Sequence, residues 1–300
     1  GIWGLHALLE RGVGKPRRAS SGALRDRNPR SRPPSLSPLP LPARNTFKGL
    51  IAEGGPMKIV AFNGSPRAEQ SNTHVMVEAF LAGAQGAGAE VENIFLAEKR
   101  LGYCLGCFSC WSKTPGTCIQ ADGMEELLEK YLSADVAVFA TPLHNDNVSV
   151  LTKNFIDRLL PAGDPHFERD EVGEVRHVRG ARPAPKFVMI ANCGFPEQSH
   201  FQVLRLLTRR MARNYHTEFV GEIYRGMGSL LQEEELRPLI DAYRGLLGMA
   251  GAEVVINGRI SPETRQRLEE PLIPAPDYVD IFLSNVNAYM EEGIAANRRT

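Results

Sequence analysis

Two kinds of apolar stretch alternate along residues 58–260. Lys58 to Asn63 (KIVAFN), Asp135 to Thr141 (DVAVFAT) and Lys186 to Asn192 (KFVMIAN) are short and almost unbroken. Glu90 to Leu96 and Thr217 to Tyr224 alternate apolar with polar residues. Periodicity alone does not separate an unbroken run this short from a piece of buried helix. Its length, and stops such as Gly64-Ser65-Pro66 and Pro142, predict strands. Between the runs the spacing becomes helical. Helices are predicted over Ser71 to Gln85, with Val75, Ala79 and Ala82 on one face, and over Asp122 to Ser133, Ser149 to Leu160, Gln202 to Asn214 and Glu233 to Leu247, the last running on toward Val254-Val255. Asp122, three residues before Glu125, reads as the start of a capping box. Two short helices, at 262–270 and 277–291, close the chain.

Alternating strands and helices imply an α/β fold: a doubly wound parallel sheet with helices on both faces. Three all-apolar runs and two alternating ones fit a five-stranded sheet, three strands central and two at the edges. In such sheets ligands bind beyond the carboxyl ends of the strands, where the strand order reverses. That rule points to the loops 64–73, 142–148 and 193–200.

Composition narrows the partners. The 300 residues are 43% hydrophobic and carry 35 basic and 35 acidic side chains. A balanced charge gives no footprint for nucleic acid or an anionic membrane. No apolar run is long enough to span a bilayer. Four of the five cysteines fall between Cys104 and Cys118, and without a secretion signal this clustering suggests a reducing compartment, here the cytoplasm. Residues 1–56 hold ten Lys/Arg against three Asp/Glu and are rich in Pro and Ser. Such a segment buries too little apolar surface to offset its ordering entropy. A transit peptide, a flexible tail and a stretch that is not native protein are the readings, the last favoured because Met57 directly precedes the first strand. The domain expected is 57–260, with C-terminal helices over 261–300. In these helices Tyr278, Phe282 and Tyr289 are spaced to pack on the domain or on another subunit.

The first loop, GSPRAEQSNTH, feeds straight into a helix. A helix N-terminus offers unpaired N–H groups and a partial positive charge, which suits a phosphate. Ser65, Ser71, Asn72 and Thr73 add donors and Arg67 a full charge. Neither a GxxxxGK[ST] P-loop nor a GxGxxG dinucleotide turn is present. The second loop offers Asn145, Asp146 and Asn147, side chains able to hydrogen-bond a planar heterocycle. In the third, Gly194 permits close backbone approach beside the aromatic Phe195. A plain capped turn remains the competing reading of the first loop.

Taken together, KIVAFNGSPRAEQSNT, CLGCFSCW…TPGTC, ATPLHNDNVS…KNFIDR and ANCGFPE resemble the flavodoxin-like NAD(P)H-dependent FMN reductases and, more narrowly, their iron–sulfur flavoprotein branch. The resemblance covers 57–225 well and 226–300 loosely. It implies a flavodoxin-like fold and FMN, with the phosphate at Ser65, Arg67, Ser71, Asn72 and Thr73. The isoalloxazine ring would lie against Pro142, Leu143, His144, Asn145, Asp146 and Asn147, with Cys193, Gly194 and Phe195 on the third side. Cys193 by itself reads as a small buried residue. Lys153, Asp157 and Arg158 also match the family pattern and read as a solvated helix face or a subunit contact. The chain departs from the pattern at His144, where an aromatic is usual, and at Gly123, where an acid is frequent. The second departure should loosen the following helix.

The cysteines Cys104, Cys107, Cys110 and Cys118 are spaced C-x2-C-x2-C-x7-C. Four thiolates so placed suit a [4Fe–4S] cluster, and the iron–sulfur flavoproteins use a motif of this kind. Buried or redox-active thiols, a disulfide and zinc stay open, the tight middle spacing being unlike a zinc ribbon. The expected function is an FMN-dependent oxidoreductase passing electrons from NAD(P)H to an acceptor such as a flavin or quinone, with no catalytic side chain. The rivals are an electron carrier with FMN, a cluster and a ferredoxin-like partner, and a binding module without turnover. The resemblance also implies a homodimer or larger assembly.

Overall fold

The structure, a computed structural model, describes residues 55–273 and 278–297. All but Gly55 and Pro56 of the 1–56 segment lies outside the described residues. The described chain falls into two units, Gly55–Tyr278 and the remainder.

β1 (Lys58–Asn63) leads through a single 3-10 turn into α1 (Asn72–Gly86), which is followed by β2 (Glu90–Phe95). The cysteine loop contains one short helical turn, α2 (Ser109–Ser112), before α3 (Met124–Leu132). β3 (Val136–His144) and β4 (Asn147–Val148) form a hairpin that enters α4 (Val150–Asp157). An antiparallel pair, β5 (Phe167–Arg169) and β6 (Val175–His177), precedes β7 (Lys186–Asn192), α5 (Gln202–Asn214) and β8 (Phe219–Arg225). α6 (Arg237–Asn257) and α7 (Pro262–Glu269) complete this unit. In the remainder the described element is α8 (Tyr278–Asn297). The side chains of Tyr278 and Phe282 lie outside the described residues, and Tyr289 is half exposed. No described helix is long and apolar enough to cross a membrane.

The five long strands run parallel in the order β2-β1-β3-β7-β8. This is the flavodoxin-like order, with its switch point between β1 and β3. Both edges are the strands with alternating patterns, and the three unbroken runs are central. β1, β3 and β7 are buried along nearly their whole lengths, as strands covered on both faces must be. Ile59, Ala61, Val138 and Ile190 face α1 and α6, whereas Val60, Phe62, Phe139 and Met189 face α3, α4 and α5.

Four local expectations change. β3 does not stop at Thr141 but runs through Pro142 to His144. Pro142 is tolerated because β1 ends opposite Ala140, which leaves the proline one neighbour, Asn192. β8 alternates only at its start. Glu222, Ile223, Tyr224 and Arg225 are all buried. Arg205 and Arg265 hold Glu222, while Arg225 donates to the carbonyls of Leu268 and Glu270 at the end of α7. α3 begins at Met124, not Asp122. Its N-cap is Gly123 at φ +84, a left-handed conformation that favours glycine over the acid frequent in the family. The β5–β6 pair is not among the expected elements. Its turn forms because Asp170 accepts the amides of Val172 and Glu174, and Arg213 of α5 ties the same carboxylate down.

α1 and α6 meet backbone to backbone. A Cβ on Gly251 would stand 2.0 Å from the Phe80 carbonyl, and one on Gly83 1.9 Å from that of Gly248. Gly251→Ala gains about 1 kcal/mol of helix propensity, but it must push the helices apart. Overpacking of this kind costs roughly 1–3 kcal/mol. The variant is therefore expected to be less stable, with a lower urea midpoint at unchanged slope.

Candidate functional site

At the switch point the first loop is held from below. Gly64 donates to the Ala140 carbonyl (2.8 Å), and the Ser149 hydroxyl donates to the Gly64 carbonyl (2.6 Å). A Cβ on Gly64 would lie 1.9 Å from Thr152 Oγ1, so the loop rests directly on the start of α4. Above this contact the Asn63 side chain accepts the Ser65 amide (3.1 Å), and the Ser65 hydroxyl accepts the Arg67 amide (3.4 Å). Ser71 is the N-cap of α1: it accepts the His74 amide (3.0 Å) and donates to the Ala68 carbonyl (2.7 Å). Its hydroxyl is thus spent on shaping the turn. The backbone amides of Asn72 and Thr73 have no hydrogen-bond partner among the described residues. The Arg67 side chain is exposed and likewise makes no described hydrogen bond. The Thr73 hydroxyl accepts from Asn192 Nδ2 (2.8 Å) and keeps its proton to donate.

The second loop is a two-residue hairpin. Leu143 pairs with Val148 and His144 with Asn147, which leaves Asn145 (φ +48) and Asp146 (φ +57) at the tip. Two successive left-handed residues are what such a turn requires, and Asn and Asp tolerate them. Asn147 accepts the Val148 amide with its side-chain oxygen (2.8 Å). The run Asn145-Asp146-Asn147 therefore has a structural reason to be polar. Pro142 and Leu143 are half-buried, and His144 to Asn147 are exposed.

The third loop packs on a segment that the sequence reading did not include, residues 225–232. Met227 donates to the Phe195 carbonyl (2.8 Å) and Gly228 to that of Cys193 (2.7 Å). Side chains at Gly226 and Gly228 would strike Pro196 and Asn192. From the same segment Gln232 donates to Asn72 Oδ1 and to the Gln70 carbonyl. Two glycines directly after a strand, Gly226 and Gly228, were the available signal. Cys193 is buried, burial pushes its thiol up to about 11, and it donates to the Phe195 carbonyl. Phe195 is exposed and stacks on His200 at 4.4 Å. His200 lies 3.4 Å from Asp146 and 3.5 Å from Glu197. No reading of the sequence singled out His200; it joins the second and third loops.

These features fit the phosphate end of a flavin. The amide nitrogen of Asn63 is buried without a partner, the hydroxyl-bearing Ser65 is 2% exposed, and the amides of Asn72 and Thr73 are unpartnered in the same loop as the exposed Arg67. Two cavities, of 470 and 680 Å3, lie elsewhere, flanking Trp111, and no residue of the three loops lines either.

The cysteine loop is a closed stem with an open tip. Cys104 and Cys107 are exposed, Cys118 is half-buried, Cys110 is buried, and all are free thiols. Among the described residues no three His, Cys, Asp or Glu side chains converge as a metal site. The donor set still suits a cluster in kind and number. Burial, and after it the sulfur of Cys118, push the Cys110 thiol up. Hydrogen bonds from Ser109 lower the Cys107 thiol. Trp111 roots the loop by donating to the carbonyls of Leu160 and Gly163, both at 3.0 Å.

Lys153, Asp157 and Arg158 divide. Lys153 and Asp157 form an exposed ion pair at 2.7 Å along α4, the solvated face expected. Arg158 is not solvated: its side chain is 1% exposed. It grips Asp122 with two bonds (2.8 and 2.9 Å), so Asp122 serves this pair and not a capping box with Glu125.

Residues 57–176 match the family model described as NADPH-dependent FMN reductase. Over these residues, 40% of its length, the chain is similar to that family. An iron–sulfur flavoprotein of Archaeoglobus fulgidus is 39% identical over 107 residues, 36% of this chain and 47% of that protein. Another, of Methanocaldococcus jannaschii, is 35% identical over 128 residues, 42% of this chain and 63% of that protein. The chain thus spans about half to under two thirds of the curated relatives it matches. An FMN-dependent NADH-azoreductase of Bacillus anthracis, solved with FMN, superposes with a TM-score of 0.50 at 18% identity, over 66% of this chain and 99% of that one. That likeness shows the shared fold.

The Arg158 guanidinium holds the Asp122 carboxyl below the usual carboxylate range. A depressed folded value stabilises the protein above the unfolded value of about 3.9, and that stability is lost as pH falls through the folded value. Asp122→Asn should therefore lower the urea midpoint at pH 7. The difference from the unsubstituted protein should shrink progressively below about pH 3.9.

Proposed function

We propose that this chain is an FMN-dependent oxidoreductase that takes electrons from NAD(P)H and passes them to an acceptor of the flavin or quinone type. The observation that carries this reading is the first loop: free amides of Asn72 and Thr73 at the start of α1, beside an uncommitted Arg67, at the switch point of the sheet. It is an anion cradle by charge and by donor count. Matching of residues 57–176 to the NADPH-dependent FMN reductase family supports the same cofactor.

Ser65, Arg67, Asn72 and Thr73 would hold the phosphate, and Ser71 keeps the turn in shape. Pro142 and Leu143 offer an apolar wall, and Phe195 an exposed aromatic face, for the ring and for a planar partner. FMN, when bound, supplies the hydride and electron chemistry. The chain's own task is to fix the cofactor and exclude water from one side of it. No side-chain nucleophile is needed, and none is assigned.

A second reading is favoured by the four free thiols between Cys104 and Cys118. In it the chain is an iron–sulfur flavoprotein whose cysteines hold a [4Fe–4S] cluster and whose partner is a ferredoxin-like carrier. The names of the curated relatives support it. In both readings the protein works in the cytoplasm as a homodimer or larger assembly.

Arg67→Ala and Asn72→Ala each remove a group from the anion cradle. A hydrogen bond to a charged group contributes roughly 1.5–3 kcal/mol, so each should weaken FMN binding by about ten- to a hundredfold. Flavin fluorescence titration of the metal-free protein measures this directly. A folded protein that stays colourless in excess FMN sinks both readings and leaves a binding module without turnover. Flavin colour together with NAD(P)H oxidation supports the first reading, and iron with a broad visible shoulder after anaerobic purification supports the second.

A further inference from the structure

Arg158 makes contacts that a helix-face residue does not need. It follows the last residue of α4 and points into the base of the cysteine loop. Nη1 donates to the Gly102 carbonyl (2.6 Å) and to Asp122 Oδ2 (2.8 Å). Nη2 donates to Asp122 Oδ1 (2.9 Å) and lies 3.4 Å from Cys118 Sγ. Asp122 in turn accepts the Gly102 amide (2.7 Å). Neighbouring bonds close the same stem: Gln120 donates to the Tyr103 carbonyl (3.0 Å), and Asn154 to the carbonyls of Leu101 and Gly102. The two ends of the loop are thus stapled at Gly102 and at Cys118–Asp122, while the tip carrying Cys104 and Cys107 is exposed.

We propose that Arg158 is a positioning residue for the cysteine loop: it fixes Cys118 in place without any metal and directs an N–H at its sulfur. Burying a guanidinium is costly unless its donors are paired. Here Nη1 and Nη2 are spread over a carboxylate, a carbonyl and a sulfur while Nε stays unpartnered, so the sulfur takes a share of a compensation that is already incomplete. One thiol of the four is therefore set before the others gather. The exposed tip is left to adjust around whatever the loop holds. The placing of Cys118 stands independently of the cluster; the effect on a cluster's potential rests on the second reading above.

Arg158→Gln removes the fork, and Arg158→Lys keeps the charge but reaches fewer partners. FMN binding checks that each variant is folded. In metal-free protein, maleimide labelling followed by peptide mass mapping reads each cysteine separately. Loss of charge-assisted bonds should raise the Cys118 labelling rate about tenfold in Arg158→Gln and less in Arg158→Lys, with Cys104 unchanged. Hydrogen exchange across 102–122 should rise in parallel. After anaerobic reconstitution with ferrous iron and sulfide, the variants should hold less iron per flavin. Whatever cluster they load should have a more negative midpoint potential, because a hydrogen bond to the sulfur is lost. A merely structural residue would lower loading and leave that potential unchanged. If Arg158→Gln does not fold, Arg158→Lys decides by the same readouts. A folded variant with Cys118 labelling and exchange at the unsubstituted rates overturns the inference. If the unsubstituted protein takes up no iron while Cys118 responds as described, the cluster reading fails and the positioning role stands.

Discussion

The contact between Gly64 and the start of α4 is the constraint on which the rest of the site depends. Ser149 donates to the Gly64 carbonyl, and the loop sits so close that a methyl group at residue 64 would overlap Thr152. Ser149 also caps α4 by accepting the Thr152 amide, and its own amide donates to Thr141 Oγ1. One small residue thus joins the end of β1, the middle of β3 and the start of α4. All of these atoms are buried, where an unmade hydrogen bond costs most. The first and second loops are therefore one rigid piece, although 68 residues lie between them in sequence.

This arrangement explains which parts of the protein could be read from sequence. The strands were legible because β1, β3 and β7 are covered on both faces and so must be apolar throughout. The turn of the first loop was legible because it is local backbone, capped by Ser71 at the start of a helix. Polarity in the second loop was easy to see, and the structure gives it a second reason beside any ligand. Asn145 and Asp146 have the pattern of a left-handed hairpin pair, and a rule for turns accounts for them without a ligand. Arg158 was not legible at all. Beside Lys153 and Asp157 it looks like a third charge on a wet face, because the residues that bury it, Gly102, Cys118 and Asp122, come from a loop more than 35 positions upstream. The same holds for His200 and Gln232, whose partners Asp146 and Asn72 are brought near only by the sheet order.

α4 connects the two chemically notable parts of the molecule. Its N-terminal residues, Ser149 and Thr152, hold the first loop at Gly64, and Arg158, just beyond its last residue, holds the base of the cysteine loop. Ser149 and Arg158 lie nine positions apart, a rise of roughly 13–14 Å along a helix. The helix is pinned along its inner face as well. Phe155 is fully buried and stacks on Phe62 of β1 at 4.3 Å, and Ile156 lies in the same core. A rigid rod fixed at both ends and in the middle cannot shift one anchor without the other. The separation between the first loop and the cysteine stem is thus set by the length of one helix. The loop itself sets only where its exposed tip goes. That division of labour accounts for a loop whose base is tied by several hydrogen bonds and whose first two thiols face solvent: the fixed part maintains its distance to the first loop, and the exposed part is free of that constraint.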